Sequence, residues 1–328
     1  MSVTAFLTVF AEFVKCVLTY RAYLSWSPLR GSNWRGDFQH VASMFDQMFD
    51  QDIAPDVVEF GPGDADLAVV CNMHGDEPTG ARAINRLLES SPEFERGVKF
   101  IVANPPASIS HRRSLDVDMN RVFPGDSDSD DRERRLAAQL VTETADCDTI
   151  SVHTTHATPE PIAFVPEGDP RSLEIVSQLP ITYVVNETPV VDGSFSSTGA
   201  VVSIEAGKVQ QPSAVVKAEM LIRAFLDDGG AISEEPPMHA STTNYFEIYD
   251  KVEKPHGDES YELLARNFER VETGEAYAKS KEGILLADEP FVPVLMSHSG
   301  YDEIFGYRGQ KVGESVEDAK EAWLDDTK

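Results

Sequence analysis

Ala68-Val-Val-Cys-Asn-Met-His74-Gly-Asp-Glu77-Pro-Thr-Gly80 opens as an apolar run and breaks into a histidine and a glutamate three positions apart. Imidazole nitrogen and carboxylate oxygen are common ligands of catalytic zinc, which takes about three protein ligands and keeps one position open. His-x-x-Glu alone is a weak signal, since a core histidine beside a helix-capping glutamate has the same spacing. Its place adds weight: the apolar run reads as a buried strand, and Gly75, Pro78 and Gly80 mark a tight turn at its carboxyl end. That end of a strand is where α/β sheets bind ligands.

Working outward, Gly80 to Glu89 carries Ile84, Leu87 and Leu88 on one helical face, and Val98 to Ala103 reads as the next strand. This β-α-β unit predicts a parallel pair with a right-handed crossover. A helix is expected over Arg132 to Thr144, strands over Thr149 to Val152, Ile181 to Val185 and Val201 to Ile204, and a helix from Pro212 to Leu226. Alternating strands and helices predict a three-layer α/β architecture. The runs Asp227 to Gly230 and Glu234 to Pro237 mark a break. Short β-like pieces follow at Tyr245 to Val252, Gly274 to Ala278, Gly283 to Ala287 and Phe291 to Met296. The expected division is an N-terminal extension over residues 1–50, a catalytic domain over 51–235 and a small β-rich domain over 236–328.

Further strand ends carry chemistry. Thr149-Ile-Ser-Val-His153-Thr-Thr-His156 ends in histidine, and Val201-Val-Ser-Ile-Glu205-Ala-Gly207 delivers one acid from an apolar run. A carboxylate there is costly to bury without a role. Between the opening motif and the His153 segment lie Ala103-Asn-Pro-Pro-Ala107 and Arg112-Arg113-Ser-Leu-Asp-Val-Asp-Met-Asn120-Arg121-Val-Phe-Pro-Gly125.

This ordered set resembles the succinylglutamate desuccinylase/aspartoacylase family, within the zinc carboxypeptidase-like fold. The pattern His-Gly-x-Glu, Asn-Pro-x-Ala, Arg with Asp-x-Asn-Arg, a strand-end His and Glu-x-Gly is met from about residue 58 to 210. Phe291-Val-Pro-Val-Leu-Met-Ser-His-Ser-Gly-Tyr301 resembles the family's C-terminal region, so the likeness spans roughly three quarters of the chain. The resemblance implies one zinc held by His74, Glu77 and His153, with Glu205 as general base. It implies Arg113 polarising the scissile carbonyl, Asn120 and Arg121 holding a substrate carboxylate, and Tyr301 touching substrate. Asp118 would support the metal site from behind. The implied reaction is amide hydrolysis of a small N-acyl amino acid or related acylated amine. A carboxypeptidase acting on peptides and a non-catalytic metal-binding module of the same fold stay open as alternatives. One departure stands out: aspartoacylase-like members of the family carry a basic residue shortly before the Glu-x-Gly strand, whereas Thr188 to Thr198 holds no Lys or Arg.

Composition bounds the rest. Fifty-six acids against 28 bases leave a formal net charge of −28 over 328 residues. No basic stripe exists to neutralise phosphates, so nucleic acid is excluded as a partner. So acidic a surface suits a salt-rich cytosol, where screening weakens self-repulsion, and points to a halophilic source. Cys16, Cys71 and Cys147 are too few and scattered for a disulfide framework, which fits a reducing cytoplasm. The first 40 residues differ, with Lys15, Arg21, Arg30 and Arg35 against Glu12 and Asp37. Val3 to Leu18 is short for a membrane span and lacks a signal-peptide cleavage site. An amphipathic surface helix, a helix packed on the body and an over-extended start before Met44 or Met48 remain open. The expected partner is a small molecule bearing a carboxylate, with a membrane disfavoured and a homo-oligomer allowed.

Overall fold

The computed structural model describes residues 54–233, 242–255 and 260–324. The N-terminal extension and Glu234 to Pro237 lie outside the described residues.

The apolar run of the opening motif becomes β2 (Ala65–Cys71), followed by α1 (Thr79–Glu89) and β3 (Gly97–Val102). β2 and β3 pair in parallel with Val69 opposite Phe100, as the β-α-β reading requires. β1 (Asp56–Phe60) lies antiparallel on the far side of β3. Then come α2 (Pro105–Ser110), α3 (Arg132–Thr144), β4 (Asp148–Thr155), β5 (Ile162–Val165), α4 (Pro170–Ser177) and β6 (Tyr183–Asn186). β7 (Val201–Lys208) and α5 (Pro212–Asp228) complete the region expected to be catalytic. The C-terminal part adds β8 (Asn244–Glu253), β9 (Glu262–Leu263), β10 (Ala276–Ser280), β11 (Gly283–Leu286), β12 (Val292–Val294), β13 (Ile304–Gly313) and α6 (Val316–Trp323).

Ten strands form one mixed sheet in the order β1-β3-β2-β4-β7-β5-β6-β8-β13-β12. β9, β10 and β11 form a separate three-stranded sheet. The C-terminal β region is therefore hydrogen-bonded into the main sheet, through β8 parallel to β6 and β13 antiparallel to β8.

Alternation along the central strands sorts side chains into two faces. Ile150, Val152, Val202 and Ile204 pack with Leu87 of α1, Leu173 of α4, Leu221 of α5 and Trp323 of α6 in one core. On the other face Val70, Ile101 and Val201 meet Leu136 and Leu140 of α3. Farther across that face, Ile162, Phe164, Val185 and Ile248 form a third cluster with Leu295 and Tyr307. Between these last two clusters the same face carries polar residues: Ser151 and His153 on β4, Ser203 and Glu205 on β7. That polar stripe is the floor of the site.

Among the described residues no helix is long and apolar enough to cross a membrane.

Gly75 shows how tightly the turn after β2 is held. A Cβ there would lie 2.0 Å from the carbonyl carbon of Ala107 and 2.2 Å from its oxygen. Backbone cannot yield as a flexible side chain can, so Gly75→Ala should cost about 1–3 kcal/mol, the usual penalty for overpacking. Thermal unfolding should show the loss, and metal binding should weaken with it because His74 is the preceding residue.

Candidate metal centre and pocket

Three side chains from two strand ends converge. His74 and Glu77 come from the turn between β2 and α1, and His153 from β4, the parallel neighbour of β2. One ligand atom from each lies within 4.8 Å of the others, and all three residues are buried. Glu77 is the hinge of the group. Its Oε1 lies 2.9 Å from His74 Nδ1 and accepts from Arg113 Nη1 at 3.3 Å. Its Oε2 accepts the Thr154 backbone N–H at 3.0 Å and lies 3.4 Å from His153 Nδ1.

The outward ring nitrogens are also held. His74 Nε2 lies 3.1 Å from Asp118 Oδ1, and His153 Nε2 lies 3.0 Å from Ser151 Oγ. An ionised carboxylate only accepts, so Asp118 places the His74 proton on Nε2. Nδ1 of a neutral His74 then turns a lone pair toward Glu77 Oε1, a repulsive arrangement unless a cation sits between them. Electrostatics agree. Burial alone would depress the His74 imidazolium, but Glu77, with help from Asp118, raises its pKa to about 9. Burial lowers His153, against the pull of Glu77, toward the neutral ring. Burial opposes ionisation of Glu77, yet the two histidines hold its carboxyl well below the usual range. The site favours positive charge: a proton on His74 meets that demand in the metal-free chain, and a divalent metal on His74, Glu77 and His153 would meet it by displacing that proton. The donor set fits zinc, and the hydrogen bonds behind both rings are of the kind that orient metal-binding histidines.

The cluster opens into a cavity of about 250 Å³. Glu205 lines it from β7, directly across the ladder from His153. Its Oε2 is buried without a hydrogen-bond partner. Burial, reinforced by the negative charge of Glu77, raises the Glu205 pKa to about 8. Arg113 also lines the cavity. Asp118 Oδ2 accepts from its Nε at 3.1 Å and from its Nη2 at 2.9 Å. Those bonds and the one to Glu77 occupy three of five guanidinium N–H groups, leaving two for a ligand. The neighbouring Arg112 is exposed and outside the lining.

Asn120 and Arg121 reach the cavity from a 3₁₀ turn at Met119–Arg121. Asn120 Oδ1 is spent accepting the Phe195 backbone N–H at 2.9 Å, so its amide presents donors. Tyr301 enters from the loop between β12 and β13 and lies against Tyr307, ring centroids 6.0 Å apart. Burial drives its phenol pKa well above the ordinary value. That loop is tied down by Lys254, whose ammonium donates to the carbonyls of His298 and Tyr301. His74, Glu77, Arg113, Asn120, Arg121, His153, Glu205 and Tyr301, read as site residues from sequence, all line this one cavity, and Asp118 stands behind it against His74. His156 lines it too, whereas His298 is exposed outside it.

Sequence reading missed three supporting residues. Glu133 is fully buried. Its carboxylate accepts Asn104 Nδ2 at 3.2 Å and the backbone N–H groups of Leu115, Asp116 and Val117 at 2.6, 3.0 and 3.3 Å. It thereby shapes the loop that carries Arg113 and Asp118. Its signal was present but masked: within the charged run at the start of α3, Glu133 shares the helical face of Leu136 and Leu140. Ser151 stands two residues before His153 on the same strand face. Glu187 follows β6 and lines the cavity where no acid was expected.

A family model for the succinylglutamate desuccinylase/aspartoacylase catalytic domain matches residues 64–227. The succinylglutamate desuccinylase of Shewanella woodyi is 36% identical over 64 residues, a stretch covering 18% of this chain and only 19% of that protein. Among solved structures, the ectoine utilization protein EutE (DoeB) from Ruegeria pomeroyi is similar with a TM-score of 0.63 at 17% identity, covering 77% of this chain and 88% of that one. A succinylglutamate desuccinylase/aspartoacylase from Rhodobacter sphaeroides gives 0.62 at 19% identity, over 79% and 89%. A mutant of murine aminoacylase 3 gives 0.60 at 18%, over 76% and 96%. Such identities speak for the fold, which is the mixed α/β zinc carboxypeptidase-like one. With half its length matched by the family model around the converged His74, Glu77, His153 and Glu205, the chain belongs to the succinylglutamate desuccinylase/aspartoacylase family.

Proposed function

We propose that the chain is a zinc-dependent hydrolase that cleaves the amide bond of a small N-acylated amino acid or related acylated amine. The observation that carries this reading is the unpartnered, buried Oε2 of Glu205 in the same cavity as the His74, Glu77 and His153 cluster. Hydrolysis needs a metal-ligand set and a free base side by side.

Zinc on the three ligands would supply the Lewis acid that acidifies water and polarises a carbonyl. The chain's own residues do the rest. Glu205 takes the proton of the attacking water and passes it to the amide nitrogen as the C–N bond breaks. The products are a carboxylic acid and an amine. The two uncommitted N–H groups of Arg113 stabilise the carbonyl oxygen as it gains negative charge. Asn120 and Arg121 hold a carboxylate on the substrate, the guanidinium fork suiting that group. A cavity of about 250 Å³ sits at the small end for ligand sites, which favours small substrates over peptides. The few, scattered cysteines fit a reducing cytoplasm, and the acidic balance fits a salty one.

Titration of metal-free protein with zinc at high salt should show one equivalent bound per chain. At a thousandfold excess over Kd it should add about 4 kcal/mol of stability by mass action. His74→Ala or His153→Ala should abolish both effects in calorimetry and thermal unfolding. Glu205→Gln should keep the zinc yet lose about 10²–10⁴-fold in kcat on a panel of N-acyl amino acids. Full activity in that variant, or a zinc-free wild type that still hydrolyses the panel, would sink the mechanism. Arg113→Ala should cost about 10²–10³-fold in kcat, the range for losing an oxyanion donor.

A further inference from the structure

The two histidines of the cluster face each other, ring centroids 5.2 Å apart, but the groups behind them are chemically unlike. His74 Nε2 lies 3.1 Å from the carboxylate of Asp118. His153 Nε2 lies 3.0 Å from the hydroxyl of Ser151, which stands two residues earlier on β4 and is fully buried. A carboxylate only accepts, so Asp118 keeps a proton on His74 Nε2 whatever Nδ1 meets. A hydroxyl both donates and accepts, so Ser151 suits either state of His153 Nε2.

That freedom is needed, because His153 Nδ1 meets two kinds of partner. The neutral ring, the form that ligates metals, carries a single N–H. In the metal-free chain Nδ1 faces Glu77 Oε2 at 3.4 Å. A carboxylate only accepts, so the ring proton belongs on Nδ1 and the Ser151 hydroxyl donates to Nε2. A metal at Nδ1 needs the lone pair there. The ring proton then belongs on Nε2, Ser151 must accept it, and the Ser151 hydrogen needs an acceptor of its own. Ser203 offers one. It is the in-register partner of Ser151 in the parallel β4–β7 ladder, on the same sheet face, and neighbouring strands lie about 4.8 Å apart. Its buried hydroxyl has no hydrogen-bond partner, so its lone pairs are open.

We propose that Ser151 is a positioning residue for the metal ligand His153: its hydroxyl donates to Nε2 in the metal-free chain and accepts from Nε2–H when Nδ1 takes the metal, turning its own hydrogen to Ser203. The choice of zinc as that metal rests on the hydrolase reading. The Nδ1 proton leaves to water as another reaches Nε2, so His153 exchanges one neutral tautomer for the other with no net release. His74 has no such freedom, because Asp118 already fixes its Nε2–H. The site thus pairs a ring set in advance by a carboxylate with a ring whose backing group reverses when metal arrives.

The test uses the full chain labelled with ¹⁵N-histidine, zinc-free and zinc-loaded, at mildly alkaline pH. Long-range ¹H–¹⁵N correlation spectra separate the two tautomers, and the His153 signals are assigned by their loss in His153→Gln. They should show Nδ1–H without zinc and Nε2–H with it, whereas His74 should carry Nε2–H in both. Zinc affinity, read by chelator competition, should fall about 10–100-fold in Ser151→Ala, the usual cost of losing a group that backs a metal ligand. Ser151→Thr keeps the hydroxyl and should return affinity to within a few-fold of wild type, a rescue that a merely space-filling serine would not require. Melting temperatures of the zinc-free variants control for folding. An unchanged His153 tautomer, an unfolded zinc-free chain, or unaltered zinc affinity in Ser151→Ala overturns the role of Ser151. Hydrolysis of N-acyl amino acids alongside any of those results leaves the hydrolase standing. Zinc-coupled tautomer exchange without hydrolysis overturns the hydrolase and leaves Ser151 in its role. A wild type that binds no zinc overturns both.

Discussion

The carboxylate of Glu77 is the contact on which the rest of the site depends. A buried charge is tolerated only when paired and hydrogen-bonded. Glu77 meets that demand with groups from three separate segments: His74 from its own turn, the Thr154 N–H and His153 from β4, and Arg113 from the long loop. Each partner imposes a constraint. The bond to Thr154 holds the turn after β2 against the end of β4. Reaching His74 from Glu77 within three residues forces the backbone at Gly75 against Ala107, where no Cβ fits. The Arg113 contact draws in Asp118, which in turn fixes the proton on His74. One carboxylate therefore couples ligand geometry, ring protonation and the position of the arginine.

That arrangement sits on a sheet face that is poorly suited to folding. Ser151, His153, Ser203 and Glu205 occupy positions where an ordinary α/β sheet would bury aliphatic side chains. The opposite face offsets the loss, with Ile150, Val152, Val202 and Ile204 packed under four helices. The two faces of β4 and β7 thus divide the labour, one holding the fold and the other the chemistry. This division also accounts for two orphaned polar atoms on the second face, Glu205 Oε2 and Ser203 Oγ.

Much of this was legible in the sequence, and the failures have physical reasons. The strands and helices that carry the ligands are long, uninterrupted and strongly patterned, so β2, α1, β4, β7 and α5 emerge within a few residues of their bounds. β5 was not foreseen, because four buried apolar residues show no period that separates strand from core loop. β13 was missed for the opposite reason. Its glycines at 306, 309 and 313 and its register shifts against β8 break the alternation that marks a strand. In the site, the convergence of His74, Glu77 and His153 was readable because such residue types at strand ends are chemically distinctive. Glu133 was not, since a carboxylate in a run of charges looks solvated until the helical face shows it pointing inward. Glu187 was hidden by expectation: the segment after it was searched for a base, and the charge that reaches the cavity is an acid one residue earlier.

The C-terminal β region explains why the cavity is small. β8 continues the sheet from β6, and β13 and β12 extend it further, so the loop between β12 and β13 returns over the site from a hydrogen-bonded framework. Lys254, at the end of β8, then clamps that loop through the carbonyls of His298 and Tyr301, while Asn267 accepts the Met296 N–H at 2.7 Å and donates to the Met296 carbonyl at 2.9 Å. A roof built this way differs from a lid on a flexible hinge. Its distance from the metal ligands is set by the same strand spacing that sets the floor. Enlarging the cavity would require breaking sheet hydrogen bonds rather than swinging a loop. The size of the cavity is thereby a property of the fold.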